Sequence, residues 1–120
     1  MTYDPTNVFA RILRGEIPCE KLYEDAFALA FPDIKPAAPC HVLVIPKGEY
    51  VSIADFGAKA SAEEITGFFR AVALVAKRLG VEESGYRLLS NAGPDSHQEV
   101  PHFHVHILGG RKLGPLLTSA

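Results

Sequence analysis

A chain of 120 residues, 48% of them hydrophobic, is long enough to bury a core and leaves room for a single domain, here 1–120. Its 12 basic and 14 acidic residues give a net charge of -2 with Lys and Arg scattered, which excludes an extended nucleic-acid surface while leaving a single nucleotide possible. Cys19 and Cys40 form no CxxC pair, no apolar run approaches the ~18 residues of a membrane span, and the acid- and proline-bearing start is unlike a signal peptide. A reducing, cytoplasmic setting with no membrane partner is the expectation.

In chain order, Asn7 or Thr6 can cap a short N-terminal helix that carries Val8, Phe9, Ile12 and Leu13 on one side and ends at Gly15. KLYED and AFALAF, within 21–31, read as two strands about a turn at Glu24-Asp25, and HVLVIP (41–46) as a third that stops at Pro46. PDIKPAAPC links the second to the third. Ser61 and Glu64 spell an S-x-x-E capping box, and Ile65, Phe68, Phe69, Val72, Val75 or Ala76, and Leu79 recur at helical spacing. This predicts one long helix over 61–79, with Gly80 as its stop. YRLLS (86–90) is a fourth strand, 91–101 a polar loop, and HFHVHIL (102–108) a fifth strand closed by Gly109-Gly110. The fold class is therefore α+β: a five-stranded, mainly antiparallel sheet with one long helix and a short N-terminal one.

The fifth strand raises the functional question. In an extended chain alternate side chains share a face, so His102, His104 and His106 line one side and Phe103, Val105 and Ile107 the other. As a zinc site the three cannot converge. At a rise of ~3.3 Å per residue the outer Cα atoms stand roughly 13 Å apart, beyond the combined reach of two imidazoles on one metal. Two of them with His41 or His97 could still make a site. A hydrogen-bonded histidine ladder without chemistry is the plainest alternative, although stacked titratable rings are costly if charged. The third reading is catalytic: neighbouring rings can hold one imidazole neutral and nucleophilic, suited to a phosphate ester or phosphoramidate.

HFHVHIL is similar to the His-φ-His-φ-His-φ-φ signature of the histidine-triad (HIT) hydrolases. HVLVIPK from His41, FPDI from Phe31, EIPCEKLYED from Glu16, YRLLSN to Asn91 and HFHVHILGGR together resemble the Hint branch, the purine nucleoside phosphoramidases, over nearly the whole chain. The resemblance implies a homodimer that binds a purine nucleoside monophosphate and passes the nucleotidyl group through a covalent histidine, with no cofactor and no resident metal. It implies His104 as nucleophile, His102 as the histidine that orients it, His106 as a phosphate contact and His41 as support for the proton relay. Phe9, Ile12, Phe31 and Ile34 resemble the apolar walls of the base pocket and Asp33 the ribose ligand. Asn91 and the backbone of His97, Gln98, Glu99 and Val100 resemble the phosphate-binding turn, an arrangement of successive amides that can cradle an anion.

The loop departs from the family pattern. Where Gly-Gln-Ser-Val is common, this chain has His97-Gln98-Glu99-Val100, and the absent serine is a leaving-group contact in the family. The C-terminal RKLGPLLTSA resembles tails that lie near the partner subunit's pocket. Phe68, Phe69 and the apolar helix after Ser61 also exceed what one face of a five-stranded sheet can cover, which favours a dimer. Hydrolysis of a purine nucleoside phosphoramidate or acyl-nucleotidylate leads. A dinucleoside polyphosphate hydrolase and a non-catalytic nucleotide- or zinc-binding adaptor are the alternatives.

Overall fold

The structure, a computed structural model, describes residues 2–117. A five-stranded sheet runs in the order β1-β2-β3-β5-β4, every neighbouring pair antiparallel. The strands are β1 (Tyr23–Glu24), β2 (Ala28–Pro32), β3 (Cys40–Pro46), β4 (Tyr86–Leu89) and β5 (Val105–Gly109), and the helices α1 (Val8–Leu13), α2 (Ile53–Lys59) and α3 (Ala62–Arg78). The predicted α+β architecture is the observed one. The last three residues of the expected C-terminal tail, 118–120, lie outside the described residues.

Two cores flank the sheet. On one face Ala28, Ala30, Val42, Val44, Phe103, Val105 and Ile107 pack against Phe56 of α2 and Phe68, Val72 and Val75 of α3. On the other face Leu29, Phe31, Leu43 and Ile45 meet Phe9 and Ile12 of α1. The long helix forms where its sequence signals place it. Ser61 accepts from the Glu64 amide while Glu64 reaches back to the Ser61 amide, and each buried Phe or Val on its inner stripe contributes about 1.5–3 kcal/mol. Phe68 is fully buried in that stripe, so only Phe69, 42% exposed, is surplus apolar surface of the kind the sequence suggested for a dimer.

Three elements differ from expectation. The turn between β1 and β2 lies at Asp25–Ala28, because the Asp25 carboxylate accepts from the amides of Phe27 and Ala28 at 2.7 and 2.9 Å. Helix α2 was not expected. It is started by a second capping box, Ser52 with Asp55. The fifth strand begins at Val105, not at His102: its β3 ladder starts from Val44 opposite Val105, two residues short of the end of β3 at Pro46. Ahead of that point the chain bends at Pro101 and His102 and is held by single bonds, Phe103 N–H to the Tyr50 carbonyl at 2.7 Å and the Ser90 hydroxyl to the His104 carbonyl at 2.7 Å.

Candidate active site

The alternation read from the sequence survives the loss of pairing. Phe103, Val105 and Ile107 enter the helical core, and the three histidines project to the α1 face. His102 is fully buried, His104 nearly so, and His106 partly so. His41, in β3 and buried, comes alongside because β3 and β5 are neighbours, with Val42 opposite Ile107 and Leu43 opposite His106. Phe9 of α1 fills the space above them, its ring edge-on to His104 at 5.0 Å and to Phe31 at 5.5 Å.

Hydrogen-bond partners settle the tautomers, since a carbonyl only accepts and an amide only donates. His102 donates from Nε2 to the Pro46 carbonyl at 3.0 Å, so its Nδ1 accepts the Tyr3 hydroxyl at 2.6 Å. His104 donates from Nδ1 to the His102 carbonyl at 2.7 Å, which leaves a lone pair on His104 Nε2. The late start of β5 matters here. The His102 carbonyl lies outside the strand ladder and is available to the His104 ring. On the other side the Ala37 amide donates to His41 Nδ1 at 2.9 Å, so His41 Nε2–H donates to His106 Nδ1 at 2.8 Å. The proton on His106 therefore sits on Nε2, a buried atom with no hydrogen-bond partner among the described residues. One ring thus offers a lone pair and the next, 5.0 Å away between centroids, offers an N–H.

Burial keeps these rings neutral. It pushes His102 and His106 down to about 4, and lowers His104 and His41 as well. The carboxylates of Asp33 and Glu99 act against burial at both His104 and His106, too weakly to reverse it.

Two adjoining cavities open onto this cluster. The larger, about 420 Å³, is walled by apolar side chains including Phe9, Ile12, Phe31 and Leu43. The smaller, about 200 Å³, holds His104, His106 and Asn91. Phe9, Asp33, Leu43, Glu99 and Val100 line both. Ile34 belongs to the larger cavity but is 94% exposed, a rim residue and not a wall. Asp33 divides its work: one oxygen accepts the Lys35 amide at 2.8 Å in a local turn, and the other stands 3.5 Å from His41 Nε2.

The expected amide cradle over His97 to Val100 is only half available. The amides of His97 and Gln98 are already bonded to the carbonyls of Pro94 and Gly93, which leaves those of Glu99 and Val100. The Gln98 side chain does not line either cavity. It braces the loop, accepting from the Gly93 amide and donating to the carbonyls of Val51 and Val100. His97 lines the smaller cavity with φ of 61°, a left-handed conformation at the position where the resembled loop carries glycine.

Among the described residues one group of metal-ligand types converges, Asp33, His41 and His106, and only one member of the triad belongs to it. Two nitrogens on a tetrahedral zinc at ~2.0–2.1 Å would stand roughly 3.3 Å apart. The 2.8 Å between His41 and His106 is instead the length of an N–H···N hydrogen bond, and the proton it shares occupies the space an ion would need. The donor set as placed does not fit a resident zinc.

Sequence reasoning missed Tyr3, Ser90, the Ala37 amide and Leu43. Leu43 was accessible to it, since in β3 it shares a face with His41 and Ile45. Tyr3 and Ser90 depend on contacts 99 and 14 residues away in the chain, and the Ala37 amide meets His41 only four residues on, through the shape of a loop that no residue pattern marks.

Comparison with known proteins gives the family. An uncharacterised 13.2 kDa HIT-like protein of Azospirillum brasilense is 62% identical over 118 residues, covering 98% of this chain and 97% of its own. The purine nucleoside phosphoramidase of Escherichia coli K12 is 40% identical over 111 residues, 92% of each chain. A HIT family hydrolase from Clostridium thermocellum superposes with a TM-score of 0.86 at 39% identity, covering 94% of this chain and 97% of that one. No helix among the described residues is long and apolar enough to cross a membrane. With the HIT domain pattern matched from residue 14 to residue 113 around a histidine cluster of this construction, the chain belongs to the HIT domain family.

Proposed function

We propose that the protein hydrolyses purine nucleoside phosphoramidates, and the related acyl-nucleotidylates, to a nucleoside monophosphate and an amine or acid. The observation that carries this reading is the pairing of a lone pair on His104 Nε2 with an N–H on His106 Nε2 at the floor of one small polar cavity. The apolar cavity beside it has the volume and walls for a purine nucleoside, with Phe9, Ile12, Phe31 and Leu43 against the base and Asp33 accepting from ribose hydroxyls. Asn91 and the amides of Glu99 and Val100 receive the phosphate.

In the first step His104 Nε2 forms a bond to phosphorus as the P–N bond to the amine breaks, the nitrogen keeping the electron pair. The leaving nitrogen takes the proton that His106 Nε2 already carries, while the bond from His41 Nε2–H to His106 Nδ1 supports the ring that gives it up. In the second step water attacks phosphorus and gives one proton back to His106 Nε2, the P–N bond to His104 breaks, and the lone pair returns to His104 Nε2. One water is consumed; one phosphate monoester and one amine are released. His102 acts as a positioning residue, its carbonyl fixing the His104 ring.

The working form is a homodimer in this reading. β4 ends the sheet with its outer edge unpaired among the described residues, and Tyr86, Leu88 and Phe69 expose apolar surface at 36%, 46% and 42%. The test of function is a panel of kcat/KM for an adenosine phosphoramidate, a guanosine phosphoramidate and a diadenosine polyphosphate. The reading expects the two phosphoramidates to lead; a polyphosphate preferred over both would replace it with a polyphosphate hydrolase.

A further inference from the structure

The two cavities share a feature unusual for a phosphate site: among the described residues, no lysine or arginine lines either of them. The charged side chains that do are Glu20, Asp33 and Glu99. The three triad imidazoles add no positive charge at neutral pH, because burial holds them neutral. An anionic phosphoramidate therefore enters a site of its own sign, and the compensating cation has to come from elsewhere.

Glu99 lines both cavities, and its side chain is 75% exposed. It is not left to wander. His97 Nε2 lies 2.9 Å from Glu99 Oε1, and His97 reaches it from a backbone with φ of 61° that a non-glycine residue adopts at a cost. One carboxylate oxygen is thus occupied and the other is free to face a ligand. With a nucleoside in the larger cavity and its phosphorus over His104, the exposed Glu99 carboxylate, which lines both cavities, borders the space left for the leaving group.

Resting on the hydrolase reading above, we infer that Glu99, held by His97, is a specificity residue that selects leaving amines carrying a second, positive charge, such as diamines and basic side chains. The selected group touches Glu99 through an exposed pair, so the preference is modest and sensitive to salt.

The adenosine phosphoramidates of cadaverine and of hexylamine have leaving groups of matched length that differ by one ammonium. At low ionic strength the wild-type ratio of kcat/KM, cadaverine over hexylamine, is expected to be roughly two- to fivefold, the scale of an exposed charge pair. It should shrink toward one in Glu99→Gln and in high salt, and fall in His97→Gly, which frees the carboxylate while relieving the backbone. A wild-type ratio of one or below, or the same ratio in Glu99→Gln, overturns the inference. Failure of the hydrolase reading is visible separately, as no cleavage of either amide. In that event the ratio is read as Kd by calorimetry: tighter binding of the cadaverine amide that is lost in Glu99→Gln upholds the inference, and equal binding overturns it.

Discussion

Tyr3→Phe isolates the bond that completes His102. The ring of Tyr3 packs edge-on to His102 at 5.6 Å and a phenylalanine keeps that contact, so the substitution removes one hydroxyl and its 2.6 Å bond to Nδ1. His102 is fully buried and its Nε2 is committed to the Pro46 carbonyl, so the ring cannot turn to find another donor without abandoning that one. A buried acceptor left unsatisfied costs about 1–3 kcal/mol. In urea, with a slope of roughly 1–3 kcal/mol/M, this is a fall in midpoint of roughly 0.3–3 M with the slope unchanged. Equal chain concentrations are needed, because a dimer links stability to concentration. Tyr23→Phe is the control: its hydroxyl bonds the Asp25 carboxylate at 2.7 Å near the surface, and its loss should cost about 0.5 kcal/mol or less. If Tyr3→Phe unfolds at the wild-type midpoint, His102 does not depend on Tyr3 and the tautomer assignment loses one of its two supports.

Acidification should destabilise the protein over a defined window. An unfolded histidine takes up its proton near 6.5 and folded His102 only near 4, so between those values the unfolded chain binds more protons and stability falls as pH drops, by about 3 kcal/mol from this residue, then levels off. Two glycine substitutions should have opposite signs. Gly57→Ala in α2 meets nothing within 4 Å and should stabilise by roughly 0.5–1 kcal/mol, whereas in Gly67→Ala the new methyl collides with the Phe27 ring and should destabilise despite better helix propensity, both read from thermal midpoints. Leu88→Lys, on the unpaired edge of β4, should convert a sedimenting dimer to a 13.0 kDa monomer; a wild-type chain that is already monomeric at micromolar concentration would remove the dimer from the account.

Much of this was legible where the signal is local. The Ser61–Glu64 box, the apolar stripe and Gly80 locate α3 because each is read within a few residues. Ser52–Asp55 carries the same box, yet α2 buries only Phe56 and so shows no stripe to accompany it. The histidine alternation was legible because period two belongs to any extended chain, paired or not. Where the ladder stops was not, since that depends on where β3 and β4 end, residues far away in sequence. The same limit applies to the site. His41 meets His106 across 65 residues, and only the strand order makes them neighbours. Gln98 shows the converse: in a polar loop, bracing the backbone and facing a ligand have the same sequence signature.

The central claim is that a bond forms between phosphorus and His104 Nε2. It is tested most directly with an adenosine phosphoramidate made chiral at phosphorus by isotopic oxygen and hydrolysed in labelled water. Two displacements, one by His104 and one by water, predict retention of configuration at phosphorus, with a protein-bound adenylyl group trapped on His104 by acid quench during a single turnover. Inversion of configuration with no trapped adduct would mean direct attack by water and would contradict the account.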